Sequence, residues 1–147
     1  MNSDMVVLEH GEDAMEVIDV KSGKRIEFID VTSKVQKALD KMTAMNGLCH
    51  IYVPHTTAGV TINENADSSV VRDILDALDR LVPLSAGYSH AEGNSAAHIK
   101  SSLMGCHQAV LVEGNKLRLG TWQGIFFCEF DGPRSRKLYV DLTPSEA

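Results

Sequence analysis

The 147-residue sequence contains no uninterrupted apolar run approaching the ~20 residues of a bilayer-spanning helix, so no membrane partner is expected. Aromatic residues make up only 5%, with a single Trp, and four prolines and eleven glycines are too few for a collagen-like or low-complexity chain. Cysteine is scarce: Cys49, Cys106 and Cys128 are odd in number, and none shares a CxxC spacing with another. Each lies in an apolar run, where a free thiol behaves as a small hydrophobe, so no disulfide is expected. Bases are outnumbered by acids, 14 to 20, and the net charge of −6 argues against a nucleic-acid partner, whose phosphates demand excess Lys and Arg. The opening Met1-Asn2-Ser3-Asp4 lacks the basic and apolar regions of a signal peptide, so a cytoplasmic location is expected. Walker, GxGxxG, HExxH and GxSxG signatures are all missing.

What is present suits one globular domain. Hydrophobic residues account for 44% and charged residues for 23%, and a chain of this length buries roughly two-thirds of its unfolded surface. Residues 1–13 are polar and unpatterned and read as a loose N-terminal segment; 14–147 reads as the domain. Alternation from Ala14 to Lys21, a turn at Ser22-Gly23 and a second run from Arg25 to Val31 suggest a hairpin. Thr32 or Ser33 is placed to cap a helix carrying Val35, Ala38, Leu39, Met42 and Met45 on one face, ended by Asn46-Gly47. Leu48 to Val53 follows as a strand.

Asp67 or Ser68 caps a clearer second helix, whose stripe includes Val71, Ile74, Leu75 and Leu78 and which closes at Pro83. A third helix, from about Asn94 to Met104, carries few large apolar residues. The last third is strand-rich, with turns at Glu113-Gly114-Asn115 and Asp131-Gly132-Pro133. Strands and helices interleave without a βαβ rhythm. The expected fold is therefore α+β: a single compact domain with mostly antiparallel sheet or sandwich and about three helices.

Three stretches concentrate reactive side chains. The first, His55 to Asp67, reads as a loop after the strand-ending Pro54 and holds Thr56, Thr57, Asn63 and Glu64. It is either turn chemistry alone or part of a site. The second runs from Ser89 to Ser102. If its helix starts early, His90, Asn94 and His98 fall at i, i+4 and i+8 on one face, and His55 would complete a metal set. Alternatively, Gly93-Asn94-Ser95 opens a helix whose N–H groups hold an anion with help from Lys100, or it simply faces solvent. The third joins Gly120-Thr121-Trp122-Gln123-Gly124 to Glu129, Arg134 and Arg136. The two arginines could fork onto phosphate oxygens, or could be a solvated pair at a strand edge. Glu129 alternates with apolar neighbours; facing inward it is a candidate base, facing outward it is ordinary surface.

The residues His55-Thr56-Thr57-Ala58, Thr61 to Asp67, Glu92-Gly93-Asn94, His98 to Gly105 and Gly120 to Ile125 resemble the YjbQ-like family over nearly all of 14–140. Members of that family are often labelled secondary thiamine-phosphate synthases. The resemblance implies a homotrimer with a polar pocket near a subunit boundary. It implies joining of a pyrimidine diphosphate to a thiazole phosphate with release of pyrophosphate. His55, Asn63, Glu64, Asp67, His98, Ser101, Gln123 and Glu129 carry over directly.

Combining both lines, the expected catalytic groups are His55, Glu64, Asp67, His98 and Glu129. Substrate contacts are expected from Thr56, Thr57, Asn63, Asn94 and Lys100, and from Ser101, Trp122, Gln123, Arg134 and Arg136. A divalent metal, Mg or Zn, would sit on His55, His90 and His98. Three functions compete: this transferase acting on a small phosphorylated substrate, a metal-dependent hydrolase or lyase, and a metabolite-binding module without turnover.

Overall fold

A computed structural model describes residues 15–145, so the expectation for 1–13 lies outside the described residues. The elements in chain order are β1 (Glu16–Lys21), β2 (Glu27–Asp30), α1 (Thr32–Asp40), β3 (Gly47–Tyr52), β4 (Ala58–Glu64) and α2 (Ser68–Leu81). They continue with α3 (Ser95–Met104), β5 (His107–Glu113), β6 (Lys116–Leu117), β7 (Gln123–Glu129) and β8 (Ser135–Pro144). Every strand pairing is antiparallel. The strands sort into a five-stranded sheet, β1-β8-β3-β5-β6, and a three-stranded sheet, β2-β7-β4. The α+β expectation with three helices holds.

Three layers result. Val35 and Leu39 of α1, Cys49 and Ile51 of β3, and Leu138 and Val140 of β8 meet Val60, Ile125 and Phe127 of the small sheet in one core. The opposite face of the small sheet presents Phe126, Cys128 and Phe130 to Leu78 of α2 and Ala97 of α3. Central strand β7 is thus buried on both faces, which is why its sequence reads as a continuous apolar run. Gly59 of β4 has a packing reason. A Cβ at Gly59 would lie 2.7 Å from the Gly105 carbonyl oxygen, so β4 and the end of α3 approach too closely for larger side chains.

Four local expectations change. The 14–31 segment is not a hairpin: β1 pairs with β8 and β2 with β7, in different sheets. The Ser22 link is buried between them; its N–H donates to Arg134 O (3.0 Å) and its hydroxyl to Glu129 (2.6 Å). Thr32 gives α1 no side-chain cap. Its hydroxyl instead donates to Asp30 Oδ1 (2.6 Å) and accepts from Ile125 N–H (2.8 Å), tying the helix start to β7. α1 also ends at Asp40, leaving Met45 exposed. Most consequential, the supposed loop 55–67 contains β4, whose Val60-Thr61-Ile62 pairs with Phe127-Phe126-Ile125. Its seven residues run about 20 Å, six steps of about 3.3 Å, and put His55 and Asp67 beyond opposite ends of the strand.

Candidate functional site: a histidine-lined cleft

The rim where β3, β8 and the start of α3 meet holds a cleft of about 800 Å³. Of the sequence candidates, His55, Thr56, Thr57, His90, Asn94, His98, Arg134 and Arg136 line it. Tyr52, Val53, Pro54, Glu92, Cys106 and Asp131 complete the wall, and none of these is among the site residues expected from the sequence. For Cys106 the misleading signal was its neighbourhood: it follows a helix and precedes a strand, yet it is exposed, while Cys49 and Cys128 are buried. Burial pushes the Cys49 thiol up to about 11 and the Cys128 thiol higher still, leaving Cys106 as the accessible thiol.

The floor is a buried ion pair. Glu129 is 0% and Arg136 4% exposed. Arg136 Nε donates to Glu129 Oε1 (2.9 Å) and Nη2 to Oε2 (2.5 Å). Nη2 also donates to Thr57 Oγ1 (2.8 Å), and Glu129 accepts from Ser22 Oγ and from Asp131 N–H (3.1 Å). Burial alone would raise the Glu129 carboxyl, but hydrogen bonds from Arg136, Ser22 and Asp131 outweigh it and hold the group below its ordinary range. This corrects two expectations. Glu129 is a sealed anion rather than a free base, and Arg136 is neutralised under the cleft rather than free for phosphate.

Above the floor, Asp131 links two sides of the cleft. Its Oδ2 accepts from Arg134 Nη2 (3.1 Å) and from Asn94 Nδ2 (3.0 Å), joining the β7–β8 turn to the start of α3. Arg134 remains half-exposed. Asn94 Oδ1 is buried and has no hydrogen-bond partner among the described residues, a lack that costs about 1–3 kcal/mol unless a donor arrives. His90 and His98 meet edge to face with ring centroids 5.5 Å apart. They do so without the early helix start: α3 begins at Ser95, and Gly93 (φ 75°) turns the chain so that His90 folds back onto His98.

His55 sits beside β8, where Lys137 N–H donates to its Nε2 at 2.9 Å. Burial, followed by the positive charge of Arg136, lowers its readiness to protonate below the usual imidazole range. The expected metal set does not fit this arrangement. Among the described residues no three His, Cys, Asp or Glu side chains stand where they could hold one ion, and one His55 nitrogen is already committed to backbone.

The remaining candidates lie elsewhere. Lys100, 2% exposed, pairs with Asp79 of α2, because its helix face turns toward α2 and away from the cleft. Ser101 lies outside that cleft but lines an adjoining pocket with His55, Thr56 and His98, and its hydroxyl donates to the Ala97 carbonyl (2.8 Å) within α3. Asp67 caps α2 by accepting from Ser69 N–H (2.9 Å), and hydrogen bonding from the Ser69 side chain, then from its N–H, lowers the Asp67 carboxyl. Glu64 pairs with Gln123 at the far end of β4, and Asn63 Oδ1 accepts from Glu64 N–H (2.7 Å). Gln123 Oε1 accepts from Gly120 N–H (2.8 Å), and Trp122 is 63% exposed beside it. Gly124 must be glycine there, since a Cβ would meet Asn65 at 2.5 Å. The sequence motifs thus form two groups at opposite ends of β4, not one pocket.

An α+β domain of two stacked antiparallel sheets, with a polar histidine cleft at one rim, is the class that fold and site define. The chain belongs to the UPF0047 YjbQ-like family, whose model matches residues 16–145. It is 53% identical over 123 residues to the UPF0047 protein MJ1081 of Methanocaldococcus jannaschii, covering 84% of this chain and 89% of that one. It is 49% identical to UPF0047 protein YugU of Bacillus subtilis, covering 87% and 98%. Among solved structures, an uncharacterized conserved protein of the family from Clostridium acetobutylicum superposes with a TM-score of 0.85 at 52% identity, covering 87% and 99%. A YbjQ-like protein of unknown function from Sulfolobus solfataricus does so with a TM-score of 0.85 at 31% identity, covering 90% and 97%. Among the described residues, no helix is long and apolar enough to cross a membrane.

Proposed function

We propose that the cleft binds a small phosphorylated metabolite and that the protein is an enzyme acting on it. The observation that carries this reading is the Asn94–Asp131–Arg134 link standing over the cleft beside His55. Arg134 offers guanidinium N–H groups for a phosphate oxygen. The unpartnered Asn94 Oδ1 asks for a hydroxyl or amine on the same ligand. His98, in contact with His90, is the group suited to moving a proton at the reacting atom.

The finer reading, joining a pyrimidine diphosphate to a thiazole phosphate, draws its support from the family resemblance. It asks the site to neutralise a leaving diphosphate. Of the three bases expected for that task, Lys100 is buried against Asp79 and Arg136 lines the cleft but is spent on Glu129, which leaves Arg134 with N–H groups to offer a ligand there. The geometry therefore favours a single phosphate over a diphosphate. Mass-spectrometric analysis of products decides between them, with purified protein incubated with the pyrimidine diphosphate and thiazole phosphate together, and with a panel of monophosphates separately. Turnover of a monophosphate that vanishes in His98→Ala supports the enzyme reading. Binding without product across the panel returns the cleft to a metabolite-binding role.

We also propose the homotrimer that the resemblance implies. Its support is the outer face of the five-stranded sheet, which exposes Val17, Tyr52 and Leu111, with Tyr52 stacked on Tyr139 at 6.2 Å. Sedimentation equilibrium giving three times the 16.0 kDa chain mass supports it; a monomer at micromolar concentration overturns it.

A further inference from the structure

His55 occupies a place where the sheet ladder stops. β3 pairs with β8 as far as Tyr52 opposite Tyr139, and the chain then leaves the ladder at Pro54. Lys137, the next residue of β8 whose N–H needs an acceptor on that side, is met by His55 Nε2 at 2.9 Å. A ring nitrogen that accepts from an N–H carries a lone pair and no proton. The neutral imidazole must then hold its proton on Nδ1.

Lys137 is in turn fixed. It follows Arg136, which is anchored to Glu129 and Thr57, and its ammonium pairs with Asp19, its register partner on β1. Burial and the Arg136 charge both favour the uncharged ring. Nδ1 has no hydrogen-bond partner among the described residues, and His55 lines the cleft.

We propose that His55 is a fixed neutral donor, its Nδ1–H reserved for an acceptor oxygen of the bound ligand, with Glu129 and Arg136 as positioning residues that hold Lys137 against its Nε2. The role differs from those of a general base and a metal ligand. A base needs its lone pair facing the substrate, and here that lone pair faces Lys137. A metal on Nδ1 would expel the proton, and the neutral ring could then carry it only on Nε2, against the Lys137 N–H. The ligand half of this inference rests on the phosphorylated-metabolite reading above; the tautomer does not.

The test uses the full chain with ¹⁵N-labelled histidine, first without ligand and then with inorganic phosphate. At neutral pH the His55 ring is expected to show a protonated Nδ1 and a bare Nε2; a proton on Nε2 overturns the proposal outright. Phosphate affinity is then compared in wild type, His55→Asn and His55→Ala. The asparagine amide places an N–H close to the Nδ1 position, so it should bind within about threefold of wild type, while alanine loses about tenfold or more. An asparagine variant as weak as alanine overturns the donor role. If phosphate fails to bind even the wild type, the phosphorylated-metabolite reading falls, and the tautomer in the free protein still decides the fixed-donor claim.

Discussion

Replacing Glu129 by Gln is the sharpest test of how the cleft floor is built. The substitution keeps shape and volume but removes the charge facing Arg136, which is only 4% exposed and has no other carboxylate partner among its described bonds. It also puts an amide N–H₂ into a position surrounded by donors: Arg136, Ser22 Oγ and Asp131 N–H. Breaking one side of a buried pair in this way costs about 3–5 kcal/mol. A domain of this size has about 5–15 kcal/mol in all, and each kcal/mol moves its melting point by about 2–4 °C. The expected drop is therefore about 6–20 °C, read by circular dichroism.

Adding Arg136→Met should recover a large part of the loss, because the orphaned charge goes with it. The coupling in the double-mutant cycle should exceed about 1 kcal/mol. A Glu129→Gln variant within about 1 kcal/mol of wild type would refute the reasoning, since it would mean that the pair is solvated rather than sealed.

Three further outcomes follow from the same geometry. A thiol reagent should modify one of the three cysteines in the native chain, Cys106, and all three after unfolding; rapid native labelling of Cys49 would contradict its burial. Stability should fall on acidification in two stages. The folded state disfavours protonation of His55, so its contribution is complete above about 6.5 and is lost as pH drops below that value. The Glu129 contribution is complete above about 4.3 and is lost as pH falls through its depressed folded value. Urea midpoints across pH measure both stages, and His55→Asn should remove the first. Lys100→Met should lower stability through loss of the Asp79 pair while leaving phosphate affinity unchanged, because Lys100 is buried away from the cleft; weakened binding would return Lys100 to the site.

The sequence made legible what depends on neighbours in the chain. The apolar stripe and Asp67 cap of α2, the small residues of α3 and the turn at Gly114-Asn115 all read out locally. Partner choice did not. Alternation marks 16–21 and 27–30 as strands, but nothing in it says that their partners are β8 and β7 rather than each other. The same limit misplaced the site. Polar residues between His55 and Asp67 looked like one loop although Val60-Thr61-Ile62-Asn63 alternates as a strand does, because the alternation is short and flanked by hydroxyl, amide and carboxylate residues. The single Glu129 carboxylate, 107 positions from Ser22 and 7 from Arg136, meets both only after the two sheets have stacked. The fold brings His55, His98 and Arg134 to one cleft but pairs Lys100 with Asp79 and Arg136 with Glu129, because a sequence shows a charge and not its counter-ion.

The central claim is that the rim cleft, and not the Trp122 end of β4, receives the ligand. Calorimetric titration of inorganic phosphate into wild type, Arg134→Met and Glu64→Gln tests it most directly. The account predicts one phosphate per chain, affinity lower by about tenfold or more in Arg134→Met through loss of a charge-assisted bond, and no change in Glu64→Gln. Undiminished binding in Arg134→Met together with loss in Glu64→Gln would contradict it and move the site to the opposite end of the strand.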